Sequence, residues 1–363
     1  MKARSRRRPP PLFFAHVVPG LEEPAWEEIA ERIAGARRVA VWSGVDRRAG
    51  VLLFGASASV EDLLDLRLTE DLFVVVAITR QLAPGRAGLR DIQRLVAEGD
   101  VDAALAVHRE ARPRRSAARP TYRVIARTAG EHAFRRIDAQ RACEAGLAQR
   151  FPRWRPVADG AALEFWLQII GEQALLSLRL SGAELRQRTY REESRQAALK
   201  PTVAHALVRL ARPPAGGLLL DPMCGSGTVL AEAADAGQRA LGGDIDAQAA
   251  LAARRNLRAA RFEGAVARWD ATRLPLRDGT AAAIACNLPW GRRQRPADPS
   301  RLYSAVLIEA RRVVRRGGRI ALLVATGGLP ERVARQQGLE IEKRLPVIVR
   351  GADAVIVVLR KRV

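Results

Sequence analysis

Cysteine, histidine and long apolar runs are scarce in this sequence of 363 residues. Its three cysteines and four histidines show neither a disulfide framework nor the spacing of metal ligands. No apolar run reaches the roughly 18 residues that a transmembrane helix needs. The basic start, residues 1–8, leads into three prolines rather than into an apolar signal segment. We therefore expect a cytoplasmic, monomeric protein that holds no metal ion and has a basic, disordered N-terminal tail.

Lysine is scarce as well, with four residues, yet the net charge is +22 because arginine is abundant. The surplus is uneven. Residues 101–155 hold 13 basic and five acidic residues and residues 201–363 hold 27 and 14, whereas residues 51–100 have a net charge of −3. An excess of this size favours a polyanionic partner. Arginine suits nucleic acid in particular, because its planar fork binds phosphate through two hydrogen bonds and stacks on bases.

The first half of the chain alternates between strand-like and helical patterns. Strands are predicted at 12–18, 39–42, 50–54 and 72–80, with helices at 22–33 and from Val60. This β-α-β-β-α-β order is the ferredoxin-like arrangement. Further along, the patterns predict a helix at 91–108, a basic loop at 110–120, a strand at 122–127, a helix at 137–150 and two strands within 163–180 that are broken near Gly171.

After Ser194 the pattern changes to short apolar strands that alternate with helices. A helix at 201–212 precedes five such strands, and the alternation predicts a parallel, doubly wound sheet. Two further strands are separated only by residues 351–354, which requires a hairpin, so we expect an antiparallel hairpin to close the parallel sheet. The seven predicted strands are 218–222, 240–244, 265–270, 281–286, 320–325, 347–350 and 355–360.

An eight-residue turn, Asp221–Thr228, joins the first of these strands to a predicted helix at 229–236. Its two glycines let a ligand approach the backbone where a side chain would clash. A dinucleotide-binding loop would read Gly-x-Gly-x-x-Gly. Asp221 and Pro222, which precede the glycines in this segment, favour S-adenosylmethionine instead. The residues expected to contact it are Asp221, Pro222, Cys224, Gly225, Ser226, Gly227 and Thr228.

Acidic residues follow the next two strands. Asp244 ends the second strand, where a carboxylate can accept hydrogen bonds from both ribose hydroxyls of a bound nucleoside. Asp246 is favoured instead as the N-cap of the helix at 247–260. Asp270 alone would be interpreted as a turn residue, but in register with the other motifs it is predicted to contact the adenine amino group. The predicted nucleoside contacts are Asp244, Ile245, Asp270 and Ala271.

The segment Asn287–Gly291, at the end of the fourth strand, is the most informative in the chain. An exocyclic amine on a base is a poor nucleophile, because its lone pair is delocalised into the ring. Two acceptors aimed at its N–H bonds can shift electron density onto the nitrogen as it attacks a methyl group. The Asn287 side chain and the Leu288 backbone carbonyl can supply these acceptors. Pro289 stiffens the turn, and Trp290 offers a stacking face for a flipped base.

A cysteine nucleophile is the alternative chemistry that this neighbourhood raises. Cys286 directly precedes Asn287, and methylation of cytosine C5 would need such a thiol. We do not favour this mechanism, because Cys286 lies inside an apolar strand and Cys224 lies within the glycine turn.

The turn Asp221–Thr228 together with Asn287–Gly291 resembles the amino-directed class I methyltransferases, and Leu288 resembles the THUMP-domain RNA guanine-N2 methyltransferases in particular. Earlier segments agree with this resemblance. The runs at 13–15 and 19–22 resemble the start of that family's ferredoxin-like domain, and Tyr122–Val124 with Phe134 and the following helix resembles its THUMP domain. The resemblance implies methyl transfer from S-adenosylmethionine to guanine N2 in tRNA, at the acceptor stem.

The same resemblance implies the domain order. It predicts an α/β protein with a ferredoxin-like region at 1–65, a THUMP RNA-binding domain at 66–182, a linker at 183–200 and a Rossmann-like class I methyltransferase domain at 201–363. Eight arginines and one tyrosine are expected to bind RNA. They lie in the basic loop at 110–120, in the short motif before the catalytic domain and after the catalytic turn, and they are Arg112, Arg114, Arg115, Arg119, Arg188, Tyr190, Arg191, Arg292 and Arg293.

Several alternatives stay open. The first alternative is an enzyme of the same class whose target is an rRNA guanine or an adenine N6 rather than a tRNA guanine N2. A protein glutamine methyltransferase has similar amide electronics, but the basic blocks argue against it. A non-catalytic RNA-binding protein is disfavoured by the intact acidic and Asn-Leu-Pro-Trp motifs. Trp290 departs from the family pattern, in which tyrosine or phenylalanine is commoner, so it enlarges the stacking face.

Overall fold

The computed structural model describes residues 10–45, 47–112, 119–188, 190, 199–262, 264–290 and 298–362. The chain forms two compact units. The first contains the chain up to Val17 together with Ala25–Leu185, and the second contains Val18–Pro24 together with Arg186–Val363. Among the described residues, no helix has both the length and the apolar character needed to cross a membrane. In the same part of the chain, no group of three or more potential ligands is placed to hold a metal ion.

A single sheet of eight strands forms the first unit. Along the chain its elements are β1 (Leu12–Val17), α1 (Glu22–Arg32), β2 (Arg37–Val45), β3 (Ala49–Gly55), α2 (Val60–Leu64), β4 (Thr69–Thr79), α3 (Ala87–Glu98), α4 (Val101–Ala111), β5 (Thr121–Ala129), α5 (Arg136–Arg150), β6 (Arg155–Pro156), β7 (Leu163–Ile170) and β8 (Gln173–Arg179). The strand order is β2-β3-β1-β4-β8-β7-β5-β6. Neighbouring strands are antiparallel, except that β5 runs parallel to β6 and β7.

The predicted β-α-β-β-α-β order of the first six elements is confirmed. The helix predicted at 91–108 is wrong in one respect, because two helices occupy this stretch and break at Gly99. Asp100 is the N-cap of α4, and its side chain accepts a hydrogen bond from the Ala103 amide at 3.0 Å. The division at residue 65 between a ferredoxin-like and a THUMP domain stays a prediction, since one continuous sheet contains both parts.

The eight-stranded sheet curls strongly. Val51 of β3 and Gln168 of β7 line the same cleft, although four strand spacings separate these strands in the sheet order. Strands in a sheet lie about 4.8 Å apart, so in a flat sheet the two would be roughly 19 Å from each other. The His16 and Trp166 rings also meet, with centroids 5.2 Å apart. One face of the sheet is therefore concave and faces itself across a cleft.

The second unit contains a seven-stranded sheet. Its elements are α6 (Pro201–Ala211), β9 (Leu218–Asp221), α7 (Thr228–Asp235), β10 (Arg239–Asp244), α8 (Ala247–Ala259), β11 (Gly264–Arg268), β12 (Ala281–Asn287), α9 (Pro299–Val313), β13 (Val314–Ala325), α10 (Leu329–Gln336), β14 (Leu339–Val349) and β15 (Ala352–Lys361). The strand order is β11-β10-β9-β12-β13-β15-β14. The first five strands are parallel, and β15 is antiparallel to both of its neighbours.

This topology confirms a parallel sheet that is closed by an antiparallel hairpin. Arg350 and Gly351 form the hairpin turn with φ of +52° and +80°, the pattern of a two-residue turn with both central residues left-handed. Three details differ from the prediction. Strand β13 begins at Val314 rather than near Ile320, and β14 begins at Leu339 rather than near Val347. No helix lies between β11 and β12, where residues 269–280 form turns.

The segment Val18–Pro24 belongs to the second unit although it lies near the start of the chain. The Ile348 amide of β14 donates a hydrogen bond to the Pro19 carbonyl at 3.0 Å. Gly20 has φ +92°, and a Cβ at this position would overlap the Pro346 carbonyl oxygen. The second unit is therefore completed by seven residues that the sequence patterns assign to the N-terminal region.

Candidate active site

The four predicted motifs lie at the carboxyl ends of four adjacent strands, β11, β10, β9 and β12. Because these strands are parallel, their ends meet at one edge of the sheet. Ligands of open α/β sheets bind at this edge. The structure therefore brings the glycine turn, the two acidic motifs and the Asn-Leu-Pro-Trp segment to one place, as the sequence predicts.

The two glycines of the turn do different work. Gly225 has φ +54°, and a Cβ built on it meets no atom within 4 Å, so the backbone is open on that side. Gly227 has φ +83°, and its Cβ would lie 3.0 Å from the Ala253 side chain of α8. Left-handed backbone at both positions favours glycine. Gly225 thus keeps the backbone accessible, whereas Gly227 lets α7 start close against α8.

Asp244 braces the glycine turn. Its Oδ2 accepts a hydrogen bond from the Gly225 amide at 3.0 Å, and its Oδ1 accepts one from the Asp246 amide at 3.0 Å. An ionised carboxylate has about four acceptor positions, so it can still accept bonds from two ribose hydroxyls. The adjacent Ile245 is 61% exposed and offers an apolar surface at the strand end. Asp246 caps α8 as predicted, through the Gln248 amide at 2.8 Å.

Two residues that support the turn were missed at the level of sequence. The Trp269 indole N–H donates a hydrogen bond to the Pro222 carbonyl at 2.9 Å. Its ring lies so close to Gly243 that a Cβ there would overlap it. Asn256 of α8 is buried and donates from Nδ2 to the Ser226 carbonyl at 2.9 Å. The glycine at 243 was the available signal for a large side chain packed against the strand.

Buried Asp221 stabilises the turn from inside. It is 2% exposed, and its Oδ1 accepts a hydrogen bond from the Met223 amide at 3.2 Å. Burial raises the pKa of Asp221 to about 7, the nearby Asp244 charge adds to this rise, and bonds from Met223 and Cys286 oppose it. A direct contact of Asp221 with the cofactor stays a prediction.

Neither neighbouring thiol is suited to nucleophilic attack. Cys224 and Cys286 are both buried, and burial raises the pKa of each thiol well above its ordinary value. Only the thiolate is a good nucleophile. The geometry therefore agrees with the interpretation of Cys286 as a core residue.

Asp270 is exposed and holds a turn. Its Oδ1 accepts hydrogen bonds from the amide and the hydroxyl of Thr272, both at 2.8 Å. The backbone bond from Thr272 is the main cause that lowers the pKa of Asp270, so the side chain is ionised at neutral pH. The turn role is thus realised, and contact with an adenine amino group stays a prediction for Asp270 and for the buried Ala271.

Hydrogen bonds within the segment Asn287–Trp290 and from β13 and α9 hold this segment in place. The Trp290 indole N–H donates to Asn287 Oδ1 at 2.9 Å. The buried Leu288 donates its amide to the Leu323 carbonyl of β13 at 3.2 Å. Tyr303 of α9, which the sequence did not point to, donates its hydroxyl to the Pro289 carbonyl at 2.8 Å. Trp290 therefore orients the Asn287 amide as well as offering an aromatic face.

Comparison with known proteins agrees with this geometry. Residues 188–352 match the family described as "RMKL-like, methyltransferase domain". The matched stretch contains the four strand ends that carry the predicted motifs, and it is similar to the methyltransferase domain of that family. The crystal structure of TrmN from Thermus thermophilus superposes with a TM-score of 0.79 at 27% identity, over 97% of this chain and 99% of that one.

Curated relatives of the methyltransferase domain share part of the chain. The U6 snRNA (guanine-N(2))-methyltransferase THUMPD2 of Mus musculus is 30% identical over 176 residues, 47% of this chain and 32% of that protein. The tRNA (guanine(6)-N(2))-methyltransferase THUMP3 of Mus musculus is 27% identical over 219 residues, 55% and 43%. The ribosomal RNA large subunit methyltransferase K/L of Photobacterium profundum is 47% identical over 72 residues, 20% and 10%. The aligned part is thus under half the length of each relative.

Two residues of the short motif that precedes the catalytic domain, Arg188 and Tyr190, are described, and both are buried. Arg188 is 9% exposed and Tyr190 6% exposed. Arg188 Nε lies 3.3 Å from Glu232 Oε1 of α7, and the Tyr190 hydroxyl donates to the same oxygen at 2.6 Å. His205 of α6 lies 3.2 Å from the other oxygen. Both side chains thus anchor this segment to buried Glu232, and RNA binding by Arg188 and Tyr190 stays a prediction.

Of the other residues that are predicted to contact RNA, the structure describes Arg112 and Arg119. Arg112 is half-buried and donates to the Leu180 carbonyl at 3.1 Å, and Arg119 is exposed. RNA binding by these two stays a prediction. Five further predicted positions, and the glycine that ends the segment Asn287–Gly291, lie outside the described residues: Arg114, Arg115, Arg191, Gly291, Arg292 and Arg293.

Proposed function

We propose that this protein transfers a methyl group from S-adenosylmethionine to the N2 amino group of a guanosine in tRNA. The observation that carries the proposal is the Asn287–Trp290 segment at the carboxyl end of β12, two sheet positions from Asp244. Two relatives are named as guanine-N2 methyltransferases of U6 snRNA and of tRNA, which supports an amine in RNA as the acceptor.

The residues of the edge fit S-adenosylmethionine. The backbone at Gly225 is open to an approaching ligand. The Asp244 carboxylate retains acceptor positions for ribose hydroxyls, and exposed Ile245 can pack against the adenine ring. When bound, the cofactor supplies an electrophilic methyl carbon, and its sulfur keeps the electron pair of the C–S bond that breaks.

Asn287 and Leu288 act on the attacking amine. Asn287 Oδ1 and the Leu288 carbonyl accept hydrogen bonds from its two N–H groups and place the nitrogen lone pair in line with the methyl carbon. After the N–C bond forms, the nitrogen is cationic and its surplus proton leaves to solvent, so no strong general base is required. Trp290 stacks on the guanine once the base is out of its helix.

The substrate is a polyanion, as the net charge of +22 favours. In the proposed division of labour, the THUMP region at 66–182 grips the tRNA and the methyltransferase domain at 201–363 receives the flipped base. We propose that the protein acts as a monomer in the cytoplasm, without a metal ion.

The experiment that tests this function compares substrates directly. Purified protein is incubated with S-adenosylmethionine and with tRNA, rRNA or protein extract from a strain that lacks it, and digested products are analysed by mass spectrometry. We expect N2-methylguanosine in tRNA. Methylation of rRNA, of adenine N6 or of protein glutamine would replace the substrate assignment, and cofactor binding without any methylation would contradict catalysis.

Two substitutions separate cofactor binding from chemistry. Asp244→Ala removes two charge-assisted bonds to ribose, each about 1.5–3 kcal/mol, and also removes the brace on Gly225, so calorimetry should show much weaker S-adenosylmethionine binding. Asn287→Ala should keep that affinity and slow single-turnover methylation about a hundredfold or more. Unchanged affinity in the first variant, or nearly unchanged turnover in the second, would refute the respective role.

A further inference from the structure

The peptide that joins Leu288 to Pro289 carries one of the two carbonyl groups proposed as acceptors for the amine. Because proline has no amide hydrogen, this peptide has no donor through which a neighbouring strand can hold it. Strand β12 ends one residue earlier, at Asn287. The direction of the Leu288 carbonyl must therefore be set by the peptides on either side of it.

Both neighbouring peptides are held by hydrogen bonds. On the preceding side, the Leu288 amide donates to the Leu323 carbonyl of β13 at 3.2 Å. On the following side, the Pro289 carbonyl accepts a hydrogen bond from the Tyr303 hydroxyl at 2.8 Å, and Tyr303 lies on α9, 14 residues further along the chain. The peptide that carries the Leu288 carbonyl thus lies between two fixed points.

The ring of Pro289 gives the second bond its effect. A peptide can rotate in place when the dihedral angles on its two sides change in opposite directions, but proline fixes φ at about −65°. A change in ψ of Leu288 that turned its carbonyl away would therefore also displace the Pro289 carbonyl. The hydrogen bond from Tyr303 resists this displacement, and so it resists rotation of the Leu288 carbonyl.

Tyr303 is a buried donor on an anchored helix. Its side chain is 4% exposed and packs in the same apolar cluster as Leu288. Burial raises the pKa of Tyr303 above the ordinary 10.0, so the hydroxyl keeps its proton at neutral pH. The Lys361 ammonium group holds the far end of α9, where it donates to the Arg312 and Val314 carbonyls at 3.4 and 2.8 Å.

We propose that Tyr303 is a positioning residue for methyl transfer, whose hydroxyl holds the Pro289 carbonyl and thereby directs the Leu288 carbonyl toward the attacking amine. This inference rests on the proposed function, because it assumes that an amine is methylated at this segment. The hydroxyl keeps its proton throughout the transfer. Its loss should therefore misalign the nitrogen lone pair and slow the chemical step, without weakening the binding of cofactor or RNA.

The test compares two substitutions in the full chain that each remove one hydrogen bond from a hydroxyl to a backbone carbonyl. Tyr303→Phe removes the bond to Pro289. The matched control, Thr280→Val, removes the bond from the exposed Thr280 to the Arg277 carbonyl at 2.7 Å. Thermal melting confirms that both variants fold. Single-turnover methylation of tRNA, cofactor affinity by calorimetry and tRNA affinity by filter binding are then measured beside wild type.

We expect Tyr303→Phe to slow single-turnover methylation roughly three- to tenfold, as the loss of one neutral hydrogen bond predicts, with both affinities unchanged. Thr280→Val should match wild type in all three measurements. A Tyr303→Phe variant that methylates as fast as wild type, or that binds cofactor or tRNA more weakly, would overturn the inference.

A double variant shows which neighbour transmits the effect, since Trp290 also adjoins Pro289. Tyr303→Phe should slow the Trp290→Phe variant by the same factor as it slows wild type, because the effects of independent changes multiply in the rate. No further loss in the Trp290→Phe background would assign the effect to Trp290 and overturn the role of Leu288.

Hydrogen exchange supplies a readout that does not depend on activity. Amide exchange at residues 288–290, followed by mass spectrometry, should be faster in Tyr303→Phe than in wild type and unchanged in Thr280→Val, because a segment that loses a hydrogen bond opens more often. Equal exchange in all three proteins would contradict the inference. A wild-type protein that methylates no RNA contradicts the proposed function instead, and the exchange comparison still decides whether Tyr303 holds the segment.

Discussion

At the scale of single residues, Trp290 combines an aromatic face with a hydrogen bond to Asn287 Oδ1 at 2.9 Å. Tyrosine or phenylalanine at this position would supply only the face in this geometry. The indole N–H of Trp290 therefore restricts the rotation of the Asn287 side-chain amide, in addition to the stacking surface that the ring offers. The orientation of the acceptor that we propose for the amine therefore depends on Trp290.

Trp290→Phe should separate the two contributions. The ring remains for stacking, but Asn287 loses the bond that orients it, and a neutral hydrogen bond contributes about 0.5–1.5 kcal/mol. We expect single-turnover methylation to fall by roughly three- to tenfold with unchanged cofactor affinity. Trp290→Leu, which removes both the face and the bond, should fall further. A phenylalanine variant as fast as wild type would show that the indole N–H has no role in catalysis.

Asp221 is the residue whose ionisation should act on stability. Burial raises its pKa from the ordinary 3.8 to about 7 in the folded chain. Between about pH 4 and pH 7 the unfolded chain therefore binds fewer protons than the folded one, so the free energy of unfolding falls as pH rises. The contribution is complete below about pH 4, is lost as pH rises through about 7 and is constant above.

Asp221→Asn removes this titration. The melting temperature of the variant relative to wild type should rise between about pH 4 and pH 7, because each pH unit in that window corresponds to as much as about 1.4 kcal/mol. Above pH 7 the difference should be constant. Melting temperatures measured across this range test the prediction, and a difference independent of pH would contradict it.

At the scale of elements, the contact between Val18–Pro24 and β14 depends on one glycine. Gly20 has φ +92°, and an added Cβ would overlap the Pro346 carbonyl. Gly237 has φ +74° in the same unit but meets no atom within 4 Å, so it is a matched control. Comparing the two separates backbone strain from the close approach.

Gly20→Ala should lower the free energy of unfolding by more than Gly237→Ala does. Both variants place a side chain in the left-handed region, at a cost of about 1–3 kcal/mol, and only the first must also displace β14. Denaturant unfolding followed by fluorescence measures both. Equal losses would show that the segment can move away from Pro346 at no cost.

At the scale of the whole molecule, the chain crosses between the two units at Val17–Val18, Pro24–Ala25 and Leu185–Arg186. A fragment that begins near Ser181 has the complete seven-stranded sheet. It lacks Val18–Pro24, however, and leaves the Ile348 amide without its Pro19 acceptor. We therefore expect a lower free energy of unfolding for the fragment than for the same sheet in the full chain.

We expect this fragment to bind S-adenosylmethionine but to bind tRNA much more weakly than the full chain and to methylate it hardly at all. Two tethered binding surfaces make the second contact intramolecular, and the fragment loses that advantage. Filter binding and methyl transfer on the same tRNA, side by side, test the prediction. Equal activity on intact tRNA would show that residues before Ser181 do not select the substrate.

The sequence alone identified the candidate site because its motifs are local. The glycine turn follows one strand, and the acid ends the next strand. Both motifs can be recognised from residues close to them in the sequence, because the backbone preference of glycine and the apolar pattern of a strand are local properties. Parallel strands then bring Asp244 and Asn287 to one edge of the sheet. The hairpin that closes the sheet followed from the short spacing between the last two strands.

Tertiary packing decided the remaining features, since they join residues far apart in the chain. Arg188 and Tyr190 form part of a basic motif in the sequence, but burial against Glu232, more than 40 residues later, makes them internal anchors. The cleft between Val51 and Gln168 exists only because the sheet curls until β3 faces β7. Pattern and spacing specify which elements form, whereas side-chain burial and sheet curvature depend on contacts that arise only when those elements pack.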